Sequence, residues 1–171
     1  MDTRTLRLFA EYNAITNQKM NRHLKGLSDE QWNRKFNGYF SSIRSLCDHL
    51  YICDYNWLKR FSKLRTFKYI NDSLFKQDLR YGTQVISELG DYLGKRKELD
   101  EQISRFIDEI DAGDIGKELK YVDSHGDEHN QVFGAVVLHF FNHQTHHRGM
   151  ISIYLEEMNI ENDFSNIMDM I

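Results

Sequence analysis

At 171 residues and 40% hydrophobic content, the chain has the length of one domain and enough apolar side chains for one sizeable core, so residues 1–171 are expected to form a single unit. A formal net charge of −4 provides no overall basic field, which argues against nucleic acid as a partner. The N-terminal MDTRTLRLFAEYNAI lacks the unbroken apolar core of a secretory signal, and no stretch reaches the roughly 18 apolar residues of a membrane span, which excludes a membrane partner and makes a cytoplasmic location the expectation.

Proline is absent, so long helices can run unbroken and an all-α fold leads. Leu6, Phe9, Tyr12, Ala14, Ile15 and Met20 follow a helical period, which predicts a first helix over about 3–25. Ser28 and Gln31 have the form of a capping box opening a short helical turn, and Asn37-Gly38 marks a break. From Ser42, the residues Ile43, Leu46, Leu50, Cys53, Trp57, Phe61 and Leu64 recur at three and four, predicting a second helix with Arg44, Asp48, Tyr51 and Tyr55 on its polar side. His49 falls at the edge of the apolar stripe. Cys47 and Cys53 lie six apart on that helix and point away from each other, which excludes a mutual disulfide.

The connection around Thr66 to Arg80 is long for a simple up-down link and leaves the topology open. A third helical run passes through Val85, Leu89, Leu93, Leu99, Ile103, Phe106 and Ile110 and ends at Gly113 and Gly116. Leu119 to Asp127 reads as a loop or small hairpin, after which a last helix is expected over about 131–158, with Val132, Val136, Phe140, Ile151, Tyr154, Leu155 and Met158 facing inward. Four amphipathic helices, each with a stripe to bury, imply a four-helix bundle with a loop or small hairpin before the last helix.

Four of the eight histidines fall between His139 and His147, in LHFFNHQTHHRGM. His139 and His147 are separated by about 12 Å along a helix axis, so one ion cannot use His139, His143 and His147 together. Two histidines four apart can converge on one ion, as in other H-x-x-x-H sites, and His143 with His147 form such a pair. A third ligand must come from another helix, and His49 is the residue placed for it. Three neutral imidazoles leave a coordination position open, as catalytic sites do, and suit zinc, nickel, copper and iron alike. Taken singly, a helical histidine is more often a surface or hydrogen-bonded residue than a ligand. His146 lies about 100° round the helix from His147, and His23, His125 and His129 have no helical partner at ligand spacing and read as solvated.

The string HFFNHQTHHRGMISIYL resembles the characteristic helix of the DinB and YfiT-like family, H-x-x-N-H-x-x-x-H-R-G-Q-I. SSIRSLCDHLYICDYNWLKRF resembles that family's second-helix pattern, here Ser42, Ile43, Leu46, His49, Asp54, Trp57, Leu58 and Arg60. Leu27-Ser28-Asp29-Glu30 and Tyr121 with Gly126 are similar more weakly. The resemblance implies a four-helix bundle, metal ligands at His49, His143 and His147, one divalent transition metal (zinc or nickel foremost, with iron or manganese as alternatives), and a homodimer. Met150 stands where the family pattern has glutamine, which removes a polar group beside the site.

Two functions are consistent with this. One is a metal-dependent enzyme of thiol transferase, hydrolase or isomerase type, its partners a small electrophilic substrate and a thiol or water; Arg148 and Tyr12 or Asn13 are candidate substrate contacts, though residues of these kinds are more often structural. The other is a non-catalytic, stress-response metal-binding protein whose ion braces the bundle, which a fourth protein ligand would favour. The basic run Lys59, Arg60, Lys63, Arg65 and Lys68 reads as a solvated helix end, and Tyr51, Tyr55, Trp57 and Phe61 as core and dimer surface.

Overall fold

The first three α-helices each start where a short polar side chain takes up free backbone N–H groups. In the computed structural model, which describes residues 1–164 and 166–170, Asp2 caps α1 (Thr3–Leu24) by accepting from Thr5 N–H. Ser28 and Gln31 form the expected reciprocal box at α2 (Asp29–Asn33), whose Trp32 is buried. Ser42 and Ser45 do the same at α3 (Ile43–Phe61). The remaining elements are α4 (Leu89–Asp108), a hairpin of β1 (Glu118–Val122) and β2 (Glu128–Val132), and α5 (Phe133–Glu156). The fold is an all-α bundle carrying one small two-stranded sheet among the described residues.

The long helices form a ring in which α1 and α3 each pack against both α4 and α5. Paired side chains give their directions. His49 meets His147 at one end of the α3–α5 contact and Phe61 meets Phe133 at the other, so these helices are antiparallel. Asp54 meets Arg96 and Phe61 meets Phe106, so α3 and α4 run the same way. A parallel pair requires the chain to travel back along the bundle, about 28 Å for a helix as long as α3. That return is residues 62–88, and it explains the long connection left open by the sequence.

The connection is packed rather than loose, with two 3-10 turns (Tyr69–Asn71 and Ser73–Lys76) and Phe67, Tyr69, Phe75 and Ile86 buried. It crosses the side of α3 expected to face solvent, so Asp48, Tyr51 and Tyr55 are buried there. Tyr55 donates its hydroxyl to Gln77 O at 2.6 Å. Asp48 Oδ1 accepts from Val85 N at 2.8 Å and Ile86 N at 2.7 Å. Those two amides are thereby held outside the helix, and α4 begins at Leu89 rather than at Val85 as the apolar spacing predicts.

The segment before α5 is a hairpin, pairing Glu118 with Val132 and Tyr121 with His129. Its turn needs Gly126 at φ 92 and is tied by Asp123 Oδ1, which accepts from His125 N and Asp127 N. Val132 belongs to β2 and is half exposed, contrary to the inward position expected of it, because the ladder continues to the Phe133 N to Lys117 O bond before the helix begins. The other expected inward positions, Val136, Phe140, Ile151, Tyr154 and Leu155 on α5 and Met158 just past its end, are buried in a core shared by all the long helices. The centre of the lower core is aromatic: Phe61 stacks on Phe106 at 4.8 Å and meets Phe133 and Phe140 edge-on.

Candidate metal centre

His49 comes from the first half of α3, and His143 and His147 lie one turn apart on α5. The antiparallel packing of these helices brings the three rings together. Their Nε2 atoms form a nearly equilateral triangle: 3.2 Å from His49 to His143, 3.2 Å from His49 to His147 and 3.1 Å from His143 to His147. Two nitrogens each bonded at about 2.1 Å to one ion lie about 3.0 Å apart at a right angle and about 3.4 Å apart at the tetrahedral angle. All three edges fall between those limits.

Protons alone cannot satisfy such a triangle. The Nε2 of a neutral ring is either a donor or an acceptor, so among three of them at least one edge joins two acceptors or two donors. Protonating the rings is opposed by the surroundings. Burial holds the His147 imidazole down at about 4, with His49 and His146 adding to the effect, and holds His143 down at about 3, helped by its histidine neighbours. Burial lowers His49 as well. Three neutral rings with converging nitrogens are the form a metal cation requires.

The ring orientations are fixed by packing. Phe40 lies 4.5 Å from the His49 ring and presents an edge to His147 at 5.3 Å, closing one side of the cluster. Tyr154 donates its hydroxyl to Phe40 O at 2.7 Å and so anchors that wall. The Nδ1 atoms of His143 and His147 are buried without a hydrogen-bond partner among the described residues, so neither ring has the carboxylate or carbonyl that commonly orients a metal-bound histidine.

One neighbour escaped the sequence reading. Cys53 lies one turn beyond His49 on α3, buried, with Sγ 3.5 Å from both His49 ring nitrogens, and His49, Cys53 and His143 together have ligand atoms within 4.8 Å of one another. Equal distances to both nitrogens put the sulfur beside the ring, off the line of either lone pair. Burial pushes the Cys53 thiol up, favouring its protonated form in the absence of a cation. The signal was the i, i+4 spacing from His49, the same spacing that joins His143 to His147.

Other expected contacts lie elsewhere. Arg148 is buried and turned into the core, where its Nη1 is bonded to Asn13, to Asn17 at 3.1 Å and to Gln144 at 3.4 Å, with Tyr12 beneath it. Arg148 and Asn13 are therefore engaged in a buried polar cluster between α1 and α5. His139 and His146 are exposed, His139 against Trp57 and His146 against His147. His129 is bonded to Asp123 at 2.9 Å across the hairpin instead of being free in solvent. Tyr51, Tyr55, Trp57 and Phe61 are all buried within the chain and offer no dimer surface. In the basic run, Arg65 pairs with Asp114 at 2.8 Å and Lys59 with Asp78 at 2.8 Å, so only part of it is a solvated helix end.

Fold and site together define a helical bundle with a partly buried cluster of neutral imidazoles held between two antiparallel helices. Comparison with known proteins gives the family. The DinB family profile matches residues 1–161. The chain is also 27% identical over 150 residues to Protein DinB of Bacillus subtilis (strain 168), spanning 86% of this chain and 82% of that protein. The chain belongs to the DinB family.

Proposed function

We propose that the chain binds one divalent transition-metal ion through His49, His143 and His147 and is a metal-dependent enzyme acting on a small electrophilic substrate, with a thiol or water as nucleophile. The observation that carries this reading is the triangle of Nε2 atoms with edges of 3.1–3.2 Å, which no arrangement of protons satisfies. Bound there, the ion would supply Lewis-acid polarisation and a nucleophile deprotonated near neutral pH. The protein's part is to keep the three rings neutral by burial, to hold them in place with Phe40, and to exclude water from the side Phe40 covers. Zinc and nickel fit an all-imidazole donor set, and iron or manganese would be weaker alternatives.

A second reading has one observation in its favour. Cys53 stands close enough to His49 that a thiolate could complete a closed shell, and a closed shell of four protein ligands belongs to an ion that braces the fold. Cobalt substitution separates the two. An open three-histidine site gives the weak visible bands of cobalt without sulfur, whereas a Cys53 thiolate adds an intense near-ultraviolet charge-transfer band that disappears in Cys53→Ser. Catalysis is then tested on metal-loaded protein with a panel of thiols and electrophiles. The enzyme reading predicts turnover that is lost with chelator and lost in His143→Ala; turnover that survives both contradicts it.

A further inference from the structure

The face of α3 that carries His49 continues past the histidines. Positions 49, 53, 56 and 60 are spaced four, three and four, so Cys53, Asn56 and Arg60 lie on one stripe with His49, and Lys63 follows two residues past the end of α3. At its far end, about 16 Å along the axis from His49 at 1.5 Å per residue, the stripe enters a cleft of about 510 Å³ between α3, the 62–88 connection and the tip of the hairpin.

The cleft is basic in a chain of net negative charge. Lys59, Arg60, Lys63 and Arg80 line it, with Asp78 and Asp123 as the acidic groups. Both carboxylates are already engaged, Asp78 by Lys59 at 2.8 Å and Asp123 by His129 at 2.9 Å. Arg60, Lys63 and Arg80 have no carboxylate within ion-pair distance among the described residues. Favourable placement near the negative end of α3 accounts for Lys59 and Arg60 as charges, but Arg80 comes from the connection, and Arg60 is not turned out to solvent. Its Nε donates to Val122 O at 3.1 Å and its Nη1 to Tyr81 Oη at 3.1 Å. Its guanidinium carbon lies 4.8 Å from the Trp57 ring, 5.7 Å from Tyr81 and 5.8 Å from Tyr121. These contacts fix the plane of the group while using two of its five donors. A guanidinium held flat with free donors is built for two-pronged binding of a carboxylate or phosphate.

We propose that this cleft is an anion subsite, in which Arg60 binds the carboxylate or phosphate group of a small molecule and Lys63 and Arg80 complete the charge at the rim. An extended ligand anchored there would run along the α3 stripe toward Cys53 and His49. That extension rests on the metal-centre reading; anion binding itself does not.

The test uses succinate and inorganic phosphate as probes, titrated into chelator-treated full-length protein at low ionic strength and followed by calorimetry and by the fluorescence of Trp57 beneath Arg60. Saturable binding of either probe is expected, the tighter one naming the preferred group. A Lys63→Glu/Arg80→Glu double variant, which alters only exposed side chains, should weaken it roughly tenfold or more, and Arg60→Met should remove it. His143→Ala should bind the probes unchanged, which separates a failure here from a failure of the metal site. Absence of saturation by both probes at millimolar concentration, or equal binding by the charge-reversed double variant, overturns the proposal.

Discussion

For the individual histidines, the decisive property is that burial keeps them neutral. The imidazoles of His143 and His147 are held at about 3 and about 4, below their ordinary 6.5. As pH falls below 6.5 the unfolded chain takes up protons at these positions and the folded chain does not, so their contribution to stability is present above 6.5 and is lost as pH falls through the folded values. In the presence of chelator, the urea midpoint should therefore include a component that declines between pH 6.5 and 4.5. Asp54, which burial pushes up to about 7, acts in the opposite sense over the same window. The measurement is accordingly the difference from a His143→Ala/His147→Ala variant, which should lack the histidine component; an identical pH profile would contradict the geometry. This much of the site was legible in the sequence, since H-x-x-x-H on one helix and a histidine at the margin of another stripe are local patterns, and family resemblance selected among them. Cys53 is less legible, because it also belongs to the apolar stripe of α3, where a cysteine packs as an ordinary small hydrophobic residue.

Between elements, α3 shows most clearly what a sequence pattern leaves out. Its apolar stripe predicts one buried face, but the 62–88 connection buries a second, and Asp48, Tyr51 and Tyr55 become interior residues because a distant segment lies over them. Periodicity within a helix carries no information about such a cover. The same contact sets the start of α4, since the Asp48 carboxylate competes successfully for the Val85 and Ile86 amides. Replacing Asp48 with alanine leaves both amides unsatisfied and is expected to cost about 1–3 kcal/mol in urea unfolding. Hydrogen exchange should show protection lost first at Val85 and Ile86, with the α3–α5 amides unchanged. Uniform loss across all helices would mean that Asp48 is not the local clasp described.

Across the whole bundle, a buried polar network ties the four long helices together beside the histidine cluster. Arg96 of α4 pairs with Asp54 of α3 at 2.6 Å and with Asp100 at 2.8 Å; Asn17 of α1 donates to Asp100 at 2.9 Å and accepts from Arg148 of α5 at 3.1 Å. Asp54→Ala leaves Arg96 with Asp100 as its remaining carboxylate and takes the partner from one buried donor, so it should cost about 1–3 kcal/mol. By comparison, Phe61→Ala, which opens a cavity in the aromatic centre, should cost about 3–5 kcal/mol. Denaturant titration checks both. The two should differ in consequence: the first loosens the mutual placement of α3 and α5 and so weakens metal uptake, and the second leaves the ligand geometry nearer to native. Helix count and the hairpin were readable from local signals, whereas this network, joining positions as far apart as Asn17 and Arg148, depends on the packing order of the helices, which no local period encodes.

The central claim is that one cation is shared by three imidazoles from two helices, and elemental analysis of untagged protein tests it most directly. Wild-type protein should carry, or take up after stripping, one divalent transition-metal ion per chain, and His49→Ala and His147→Ala should each fall to a small fraction of that while remaining folded by circular dichroism. A wild-type protein that retains no ion when supplied with zinc or nickel, or a His49→Ala protein that still binds one per chain, would contradict it.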